Sequence, residues 1–523
     1  MKKITLLFVA IVLLFSAQTM KAQFAGGDGS EANPYQISNR AELRALDDYI
    51  NDAGAGKHFV LTADIDLAGE LWVPIATDTL GSEAAPTIAT TDTLFRGKLH
   101  GQGYKIQNMT TKAKGPWLTG LFGQIGAGAL IEDVHIVGGA AGTNDASGVK
   151  AYNKIGSLVG RVYLNKDATE GITITKCSNN VSVTDPARNS NTGNSAGGLI
   201  GEIINENLAQ DVILSLSYNT GDVAGGMHAA GLVGRIVGYA EIKNCYFNGT
   251  VNRNYFTLND EINSTTGEVT NPAGSEVGMN GGVFRGGLVG YFNSGENPGF
   301  IENCYAAGVV NNNSRLFVQQ QTSVMYAGGI TARKDASTEI RNSVALQTVV
   351  SGIRPGISTF RVSGYTATTG STLLTNNYAI STLALTDSAN VVVTPTVATV
   401  TGQNGADVTP AAAKTKAFYE GLGWNFTDIW TIAEGASFPT LKSVATGIQS
   451  PKSGAKTLKA SVSNGALTVT GLTAGESVRI YTVVGQTVAN VTATGTRTTI
   501  NLPTSGIYIV SAGNQAVKVV AGK

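Results

Sequence analysis

The sequence predicts an all-β protein: a right-handed parallel β-helix with an N-terminal capping helix, followed by a small C-terminal β-sandwich. Three observations predict it. A two-part unit recurs between residues 106 and 380, the segments between its copies lack helical periodicity, and short alternating strands of a different pattern begin at Thr457. Parallel strands distant in sequence normally need crossover helices, so coiling of the chain into successive rungs is the simpler arrangement where such helices are absent.

The repeated unit has two halves. The first half is a Gly-Leu-Val-Gly sequence, seen at residues 231–234, which recurs at 120–123, 156–160, 197–201, 286–290 and, eroded, at 328–330. The second half begins with an apolar residue and recurs at Ile106, Ile131, Ile174, Leu214, Ile242, Ile301, Ile340 and Leu374. Successive copies lie 25 to 59 residues apart, which indicates one or two rungs per unit plus insertions.

A corner is predicted inside the second half. The residue two positions after the apolar one is Asn in five of the eight copies, and the slot after it holds Met, Val, Cys or Ser in all but the last, where Asn377 breaks the pattern. In a straight strand the two flanking positions would point to opposite faces. Because both are mostly apolar, we expect a bend between them, with the Asn in a left-handed conformation that it tolerates well. Stacked Asn amides are also expected to form a hydrogen-bonded ladder.

The same alignment explains the cysteines. Cys177, Cys245 and Cys304 occupy the slot after the corner, where other copies carry Val134 or Ser217. Equivalent positions on neighbouring rungs stack, so a buried column of small apolar side chains is favoured over disulfide chemistry. The alternative is one disulfide between adjacent rungs, since an exported protein can form disulfides but three cysteines cannot all pair.

The N-terminal residues indicate export and an end cap. Residues 1–22 form a predicted signal peptide, in which lysines precede an apolar run too short to span a bilayer. Residues 23–96 form the predicted cap and first rungs. Asn39, with Glu42 three residues later, resembles a capping box and predicts an amphipathic helix that covers the open first rung.

Four segments follow the cap. Residues 97–380 form the predicted repeat β-helix, residues 381–442 a C-terminal plug, residues 443–456 a Ser/Gly/Lys/Pro linker, and residues 457–523 a small β-sandwich. The sandwich is predicted from short alternating strands joined by Gly-containing turns. After the leader, no stretch approaches the roughly 18 apolar residues of a membrane span, so we expect no integral membrane segment in the mature chain.

The charge composition limits the classes of partner that the protein is expected to bind. Lys+Arg and Asp+Glu number 37 each, and removing the three lysines of the predicted leader leaves 34 against 37, a net charge of −3. Nucleic acids and anionic membranes bind basic faces, so neither is an expected partner. Charged residues make up 14% of the chain and glycines number 65, which is typical of a β-rich extracellular protein with many tight corners.

Candidate ligand-binding residues lie in the insertions between copies. The segment from the end of each second half to the next Gly-Leu sequence varies most in length, from residues 224–230 to residues 252–285. Such variation maps to one edge of a solenoid, often the binding edge. Aromatic side chains there are candidates for stacking on sugar rings or anchoring a protein partner, against the alternative that they pack the loops onto the scaffold. The candidates are Tyr152, Tyr255, Phe256, Phe317 and Tyr326.

A β-helical polysaccharide lyase or glycoside hydrolase is the alternative function. Such enzymes need clustered carboxylates, a Ca²⁺ site or a basic catalytic residue. The outward position after each apolar residue shows no acidic column, and the four histidines are scattered without metal-ligand spacing. Asp64 and Asp66 share one face of a strand, where a solvated turn pair is favoured over a catalytic or Ca²⁺-binding pair. We therefore expect no catalytic residue, metal or cofactor.

Two parts of the chain resemble known families. The Gly-Leu-Val-Gly units, with the entry at residues 95–106, resemble GLUG-motif surface proteins of Bacteroidetes-type bacteria; the insertion at 77–93 and the eroded copy at Ile330 depart from that pattern. This resemblance implies a β-helical passenger associated with surface adhesion. Residues 478–488, 502–510 and 518–520 resemble a C-terminal sorting domain of the type IX secretion pathway, which implies that residues 457–523 are recognised by that machinery.

The sequence thus predicts an exported, non-catalytic, adhesin-like protein, located at the outer-membrane surface or outside the cell. It is expected to bind a glycan or an extracellular protein through loops on one edge of the β-helix.

Overall fold

The computed structural model describes residues 23–77, 93–112, 118–143, 154–185, 194–225, 227–252, 261–262, 269–271, 283–311, 325–352, 358–366, 373–387, 390–395, 397–442, 458–463, 466–472, 475, 477–482, 487–502, 506–512 and 515–521. The predicted signal peptide (1–22) and linker (443–456) lie outside these ranges. The chain forms two compact units, one ending at Lys442 and the other beginning at Ser443.

Four long sheets, which we call I to IV, build the first unit, and their pairings are parallel apart from one short antiparallel strand in sheet II. Sheet I contains Tyr35–Ile37, His58–Leu61, Lys98–His100, Leu130–Glu132, Ile172–Thr175, Val212–Ser215, Glu241–Lys243, Phe300–Glu302, Glu339–Arg341 and Leu374–Thr375. Sheet II contains Ile65–Asp66, Lys105–Lys112, His135–Thr143, Ser178–Asn179, Ser182–Thr184, Tyr218–Asn219, Val223–Ala224, Tyr246–Asn252, Tyr305–Asn311, Val344–Ser351, Tyr378–Ile380, Ala384–Thr386, Val392–Val393 and Ala406–Val408.

Sheets III and IV complete each coil. Sheet III contains Leu118–Thr119, Lys154–Ile155, Ser195–Gly197, His228–Ala230, Val283–Gly286, Met325–Gly328 and Thr359–Phe360. Sheet IV contains Phe122–Ile125, Val159–Leu164, Ile200–Asn205, Val233–Val237, Val289–Asn293 and Thr331–Lys334. From Lys98 to Lys334 the chain visits I, II, III and IV in turn and then returns to I. The architecture is therefore all-β and resembles a β-helical solenoid, as the repeats predict.

The interior is an apolar stack in register between coils. Ile131, Ile174, Leu214, Ile242, Ile301, Ile340 and Leu374 pair in succession along sheet I, and all are buried. The predicted alignment of Ile106 with Ile131 is wrong: Ile131 pairs with Leu99, and Ile106 pairs with Ile136 in sheet II. Leu99 and Ile106 are both apolar residues close to a turn, so the hydrophobic pattern alone did not distinguish them.

The predicted left-handed corner is confirmed. All eight aligned positions have positive φ, between 50° and 57°: Asn108, Asp133, Lys176, Leu216, Asn244, Asn303, Asn342 and Asn376. Seven of them join sheet I to sheet II, whereas Asn108 bends a strand within sheet II. The expected amide ladder forms in part: Asn376 Nδ2 donates to Asn342 Oδ1 at 2.9 Å. Asn244 Oδ1 instead accepts from the Trp430 indole at 3.4 Å.

The slot after the corner forms a polar spine rather than a purely apolar column. The three cysteines are buried and free, so the disulfide alternative does not hold in this structure. The backbone N–H of four slot residues donates to the side chain of the slot on the next coil: Cys177 to Ser217, Cys245 to Cys304, Cys304 to Ser343, and Ser343 to Asn377, at 3.0–3.3 Å. Asn377 therefore continues the pattern that the sequence suggested it breaks.

The corner of the Gly-Leu-Val-Gly half joins sheet III to sheet IV, with Leu232 and Val233 fully buried. Its first glycine has no room for a side chain. A Cβ on Gly231 would lie 2.1 Å from the Phe247 ring, and one on Gly287 would lie 1.8 Å from the Gly329 carbonyl oxygen. The glycines thus permit close approach of successive coils at this corner.

The N-terminal cap matches the prediction. The helix Arg40–Arg44 continues into the 3₁₀ segments Ala45–Tyr49 and Asn51–Ala53. Asn39 Oδ1 accepts from the Glu42 N–H at 3.1 Å, and the Glu42 carboxylate accepts from the Ser38 N–H, so the cap is a shifted capping box. Leu43 and Leu46 are fully buried in the solenoid core.

The predicted C-terminal plug packs along a flank of the solenoid. Its elements are the 3₁₀ segment Ala412–Lys414, the helix Lys416–Gly421 and the antiparallel pair Trp430–Thr431 and Thr440–Leu441. Trp424 and Trp430 lie over the outward Tyr305 of sheet II, whose hydroxyl donates to the Pro439 carbonyl at 2.7 Å. The segment covers a side of the stack because the outward tyrosines of sheet II offer it an aromatic surface.

The second unit contains two antiparallel sheets. One sheet has the strands Lys459–Ser463, Ala466–Thr470 and Arg497–Asn501, and the other has Ser477–Thr482, Thr487–Thr492, Gly506–Ala512 and Gln515–Ala521. Leu467 and Val469 from the first sheet and Ile480 and Val510 from the second belong to one buried cluster. This unit therefore has its own core, separate from that of the solenoid.

Candidate functional site

The connections that vary most in length leave the solenoid at one edge. Each runs from a strand of sheet II to a strand of sheet III, as between Thr143 and Lys154, Ala224 and His228, Asn252 and Val283, and Asn311 and Met325. The longest contains the antiparallel pair Glu261–Ile262 and Val269–Asn271. The sequence prediction that insertions map to one edge is thereby confirmed.

Four of the five predicted ligand-binding residues, Tyr152, Tyr255, Phe256 and Phe317, lie outside the described residues. The fifth, Tyr326, is a half-buried residue of sheet III. It stacks on Tyr365 at 4.5 Å between ring centroids and lies 5.6 Å from Phe284. The structure therefore places Tyr326 in an aromatic group built by the scaffold itself, at the base of the variable edge.

Two columns of side chains meet along the corner between sheets III and IV, and we call this row the seam. The sheet III column, in register, is Lys154, Ser195, His228, Phe284 and Tyr326, and the sheet IV column is Arg161, Glu202, Arg235, Tyr291 and Arg333. None of these side chains belongs to the interior apolar cluster. The sheet III column begins where the variable connections end, so the seam and the connections share an edge.

The N-terminal part of the seam is a buried ion cluster. Glu202 Oε1 lies 2.9 Å from Lys154 Nζ and 2.6 Å from an Arg235 guanidinium nitrogen, while its Oε2 lies 3.9 Å from Arg161 Nε. Burial raises the pKa of the Glu202 carboxyl, but Lys154 and Arg235 outweigh burial and hold that pKa below its usual range. Glu202 is therefore an ionised partner shared by several cations, and the cluster fixes coils together.

The C-terminal part of the seam is aromatic. His228 stacks on Phe284 at 5.0 Å, and burial beside Lys154 and Arg235 holds the pKa of His228 well below its usual value, so its imidazole is neutral at pH 7. Beyond it, the Arg333 guanidinium lies 5.1 Å from the Tyr291 ring centroid and 5.5 Å from that of Tyr365. Stacked rings and a cation held between two tyrosines form a surface suited to a polar, planar or ring-shaped ligand.

Two of the four histidines, which are distant in sequence, lie side by side in the structure. His58 and His100 stack in sheet I with nitrogen atoms 3.2 Å apart, and the other nitrogen of His100 lies 3.2 Å from Glu132 Oε2. Glu132 also accepts from Lys176 at 2.8 Å. His100, not Gln107, is the register neighbour of Glu132, and the outward column of sheet I pairs its acids with bases instead of clustering them.

One serine, one histidine and one aspartate form a chain that sequence reasoning missed. His135 Nδ1 lies 2.7 Å from Ser178 Oγ, and His135 Nε2 lies 3.3 Å from Asp133 Oδ1. The backbone N–H groups of Ser178 and Asn180, which flank the hydroxyl, donate to the carbonyls of Val134 and Ile136 in the neighbouring coil. Nucleophilic catalysis also needs donors for a developing oxyanion. These N–H groups are engaged, and Ser178 is buried, so the chain joins coils.

The predicted carboxylate pair also joins coils. Asp64 accepts from the Lys105 N–H at 2.9 Å, and Asp66 accepts from Asn108 Nδ2 at 3.0 Å. Across the described ranges, no group of three or more His, Cys, Asp or Glu side chains is arranged to hold a metal ion. A polar cleft of about 460 Å³ lies beside Asp52, Arg96 and Tyr163, where Arg96 is already paired with Asp52 at 3.0 Å.

The sequence contains a signal for the seam that the sequence-based predictions do not use. Each side chain of its sheet IV column belongs to the residue that directly follows a Gly-Leu-x-Gly half, for example Arg161, Glu202, Arg235 and Tyr291. The search for an acidic column in the sequence considers only the outward position of the second half. The sequence shows the residue type at each position. It does not show that two columns on different sheets are in contact, because that contact depends on the angle of the corner between the sheets.

Two family models match parts of the chain. The GLUG motif matches residues 225–252, and a domain of unknown function designated DUF6383 matches residues 451–521. The chain thus contains a GLUG motif in the coil that includes His228 and Arg235.

Two curated relatives share about 30% identity over short lengths. Halomucin of Haloquadratum walsbyi is 29% identical over 165 residues, which cover 28% of this chain and 2% of halomucin. A protein of Evansella cellulosilytica, provisionally named a Gly-rich membrane protein, is 30% identical over 167 residues, which cover 31% of this chain and 17% of that protein. The chain therefore matches only a small fraction of either relative.

One solved structure is similar over much of the chain. It is a crystal structure of a Bacteroides ovatus protein provisionally named an immunoglobulin A1 protease; the match has 19% identity, a TM-score of 0.42, and covers 80% of this chain and 95% of the other. That TM-score is too low to carry an argument about this protein. Separately, no helix in the described part of the chain is long and apolar enough to cross a membrane.

Proposed function

We propose that this is an exported, non-catalytic surface or extracellular protein that binds a glycan or an extracellular protein through the variable edge of a closed, right-handed β-helix. One observation carries the proposal: the connections that vary most in length lie between sheets II and III, beside a row of aromatic and arginine side chains. A rigid solenoid with loops on one edge provides an extended binding surface.

The relatives support a surface location. Halomucin is named as a mucin, and the Evansella cellulosilytica protein is named as a membrane protein. Both names fit a GLUG-containing chain displayed at a cell surface. The Ser178–His135–Asp133 chain and the paired acids of sheet I join coils, which supports a binding role over hydrolysis.

We also propose that residues 457–523 fold as a β-sandwich that the type IX secretion machinery recognises, and that residues 1–22 direct the first export step. The tail has its own buried cluster and is a compact unit apart from the solenoid, as expected of a sorting domain. Its ordered motifs near the C-terminus support the same assignment.

The test is binding by the chain without its leader, residues 23–523, on glycan and matrix-protein arrays. We expect a ligand that is lost when residues 253–282 are replaced by a connection as short as that between Ala224 and His228. The control is Lys166→Ala, an exposed position on the turn between sheets IV and I, which should bind like the unmodified chain.

Two outcomes oppose this proposal. Unchanged binding by the shortened variant would move the site away from the variable edge. Turnover of a polysaccharide or ester by the purified chain, abolished by Ser178→Ala, would replace a binding role with a catalytic one.

A further inference from the structure

We propose that the aromatic end of the seam is an anionic-sugar subsite, in which the exposed ring edges of Tyr326 and Tyr365 contact a pyranose ring and Arg333 binds its carboxylate or sulfate. This inference rests on the proposed binding function and adds the class of ligand. It is carried by the contacts of Arg333, the stacking of the tyrosines and the position of the group beside the variable connections.

Arg333 is held in place without being neutralised by a hydrogen-bonded carboxylate. Its guanidinium lies between the Tyr291 and Tyr365 rings, and its nearest acidic oxygen, Asp335 Oδ1, is 3.8 Å from Nε. Both of those atoms are buried and make no hydrogen bond to the described part of the chain. A guanidinium fixed by stacking presents its N–H fork to an anion, and the fork can bind two oxygens of a carboxylate or a sulfate at once.

Asp335 is a weak competitor for this cation. Burial raises the pKa of the Asp335 carboxyl above its usual value, although Arg333 acts in the opposite direction. Its other oxygen lies 3.5 Å from the Tyr291 hydroxyl, at the limit of a hydrogen bond. A ligand anion that reaches the guanidinium edge would therefore gain charge-assisted hydrogen bonds that Asp335 does not make.

The tyrosines supply the apolar contact that a sugar needs. Tyr326 and Tyr365 are stacked with an interplanar angle of 24°, and both are half-buried, so part of each ring is accessible. Phe284 backs Tyr326 from the neighbouring coil and is itself 4% exposed, which fixes the ring orientation. Rigid aromatic side chains contribute contact area at low entropic cost.

The charge environment also favours an anion. Four cations line or adjoin the seam, Lys154, Arg161, Arg235 and Arg333, against the three carboxylates Glu202, Glu206 and Asp335. A neutral glycan would leave the Arg333 fork without a partner.

The experiment measures binding of residues 23–523 to heparin (sulfate and carboxylate), polygalacturonate (carboxylate only) and the neutral dextran. We expect binding to at least one acidic polymer, little binding to dextran, and a decline as salt increases. Arg333→Gln should weaken acidic-polymer binding about tenfold or more, and Arg333→Lys should weaken it less, since it keeps the charge but loses the fork. Comparison of heparin with polygalacturonate identifies which anion is preferred.

Matched substitutions separate binding from folding. Tyr326→Ala should weaken acidic-polymer binding, whereas Tyr326→Phe, which keeps the ring, should bind like the unmodified chain; near-UV circular dichroism checks that each variant is folded. Equal binding of dextran and acidic polymers, or unchanged binding by folded Arg333→Gln, overturns this inference. If the chain binds a neutral glycan or a matrix protein but no acidic polymer, the inference fails while the broader proposed function stands; if it binds nothing, both fail.

Discussion

The corner between sheets I and II is a strained position that the sequence relieves in most coils. Its residue has positive φ at all seven of these corners, and Asn tolerates this conformation better than most residues. Leu216 occupies the same conformation, with φ of 50°, but leucine lacks the short polar side chain that makes it tolerable. Of the seven corner residues, Leu216 is the apolar exception.

We predict that Leu216→Asn stabilises the protein. The left-handed conformation costs a non-Gly residue about 1–2 kcal/mol, so relief of part of this strain should raise the free energy of unfolding by about 1 kcal/mol. Leu216→Ala is the control, because it removes the same side chain and keeps the strain. Urea denaturation measures the free energy of unfolding of both variants. Equal values would contradict the explanation by backbone strain.

At the scale of a secondary-structure element, the polar spine replaces backbone pairing where strands are interrupted. The backbone N–H groups of Cys177 and Cys304 donate to the serine hydroxyl in the slot of the next coil. The cysteine and serine side chains also donate to the carbonyl two residues before them, as Cys304 does to Glu302 at 3.1 Å. Burial raises the pKa of the Cys177 thiol to about 12 and that of the Cys304 thiol well above its usual value, so these two thiols stay protonated and can donate.

We predict that Cys304→Val destabilises the protein and that Cys304→Ser does so much less. Valine removes the acceptor of the Cys245 N–H, and a buried unsatisfied donor costs about 1–3 kcal/mol. Serine keeps both a donor and an acceptor. The measurement is the free energy of unfolding in guanidinium chloride. If the valine variant is as stable as the serine variant, the column is stabilised by apolar packing and not by its hydrogen bonds.

Local residue patterns were enough to predict the β-helix-like solenoid, its corners and the start of the N-terminal helix. Asn39 and Glu42 mark a helix start, and Asn or Gly marks a bend, whatever lies nearby. Two kinds of feature were not predicted from the sequence. The register of Ile106 depended on which of two equivalent apolar residues pairs with Ile131, and the seam depended on contact between Glu202 and Lys154 on different sheets.

At the scale of the whole molecule, different segments protect different surfaces of the solenoid. The helix Arg40–Arg44 buries apolar side chains at the N-terminal end, and the segment around Trp430 covers outward tyrosines of sheet II. The edge between sheets II and III carries the variable connections instead. Covering one flank and leaving another for insertions fits a scaffold whose binding surface can change without affecting the core.

The tail is separate from this scaffold in both packing and proposed role. Its buried cluster shares no residue with the solenoid core. We therefore predict that a chain ending at Lys442 keeps the thermal transition of the solenoid but is not exported beyond the outer membrane of a type IX-competent host. Cell fractionation and immunoblotting measure export, and differential scanning calorimetry measures the transition. As a matched control, residues 443–523 fused behind an unrelated leader-bearing protein should carry it to the outside. Equal export of the shortened and full-length chains would show that the address lies elsewhere, because the tail would then be dispensable for passage across the outer membrane.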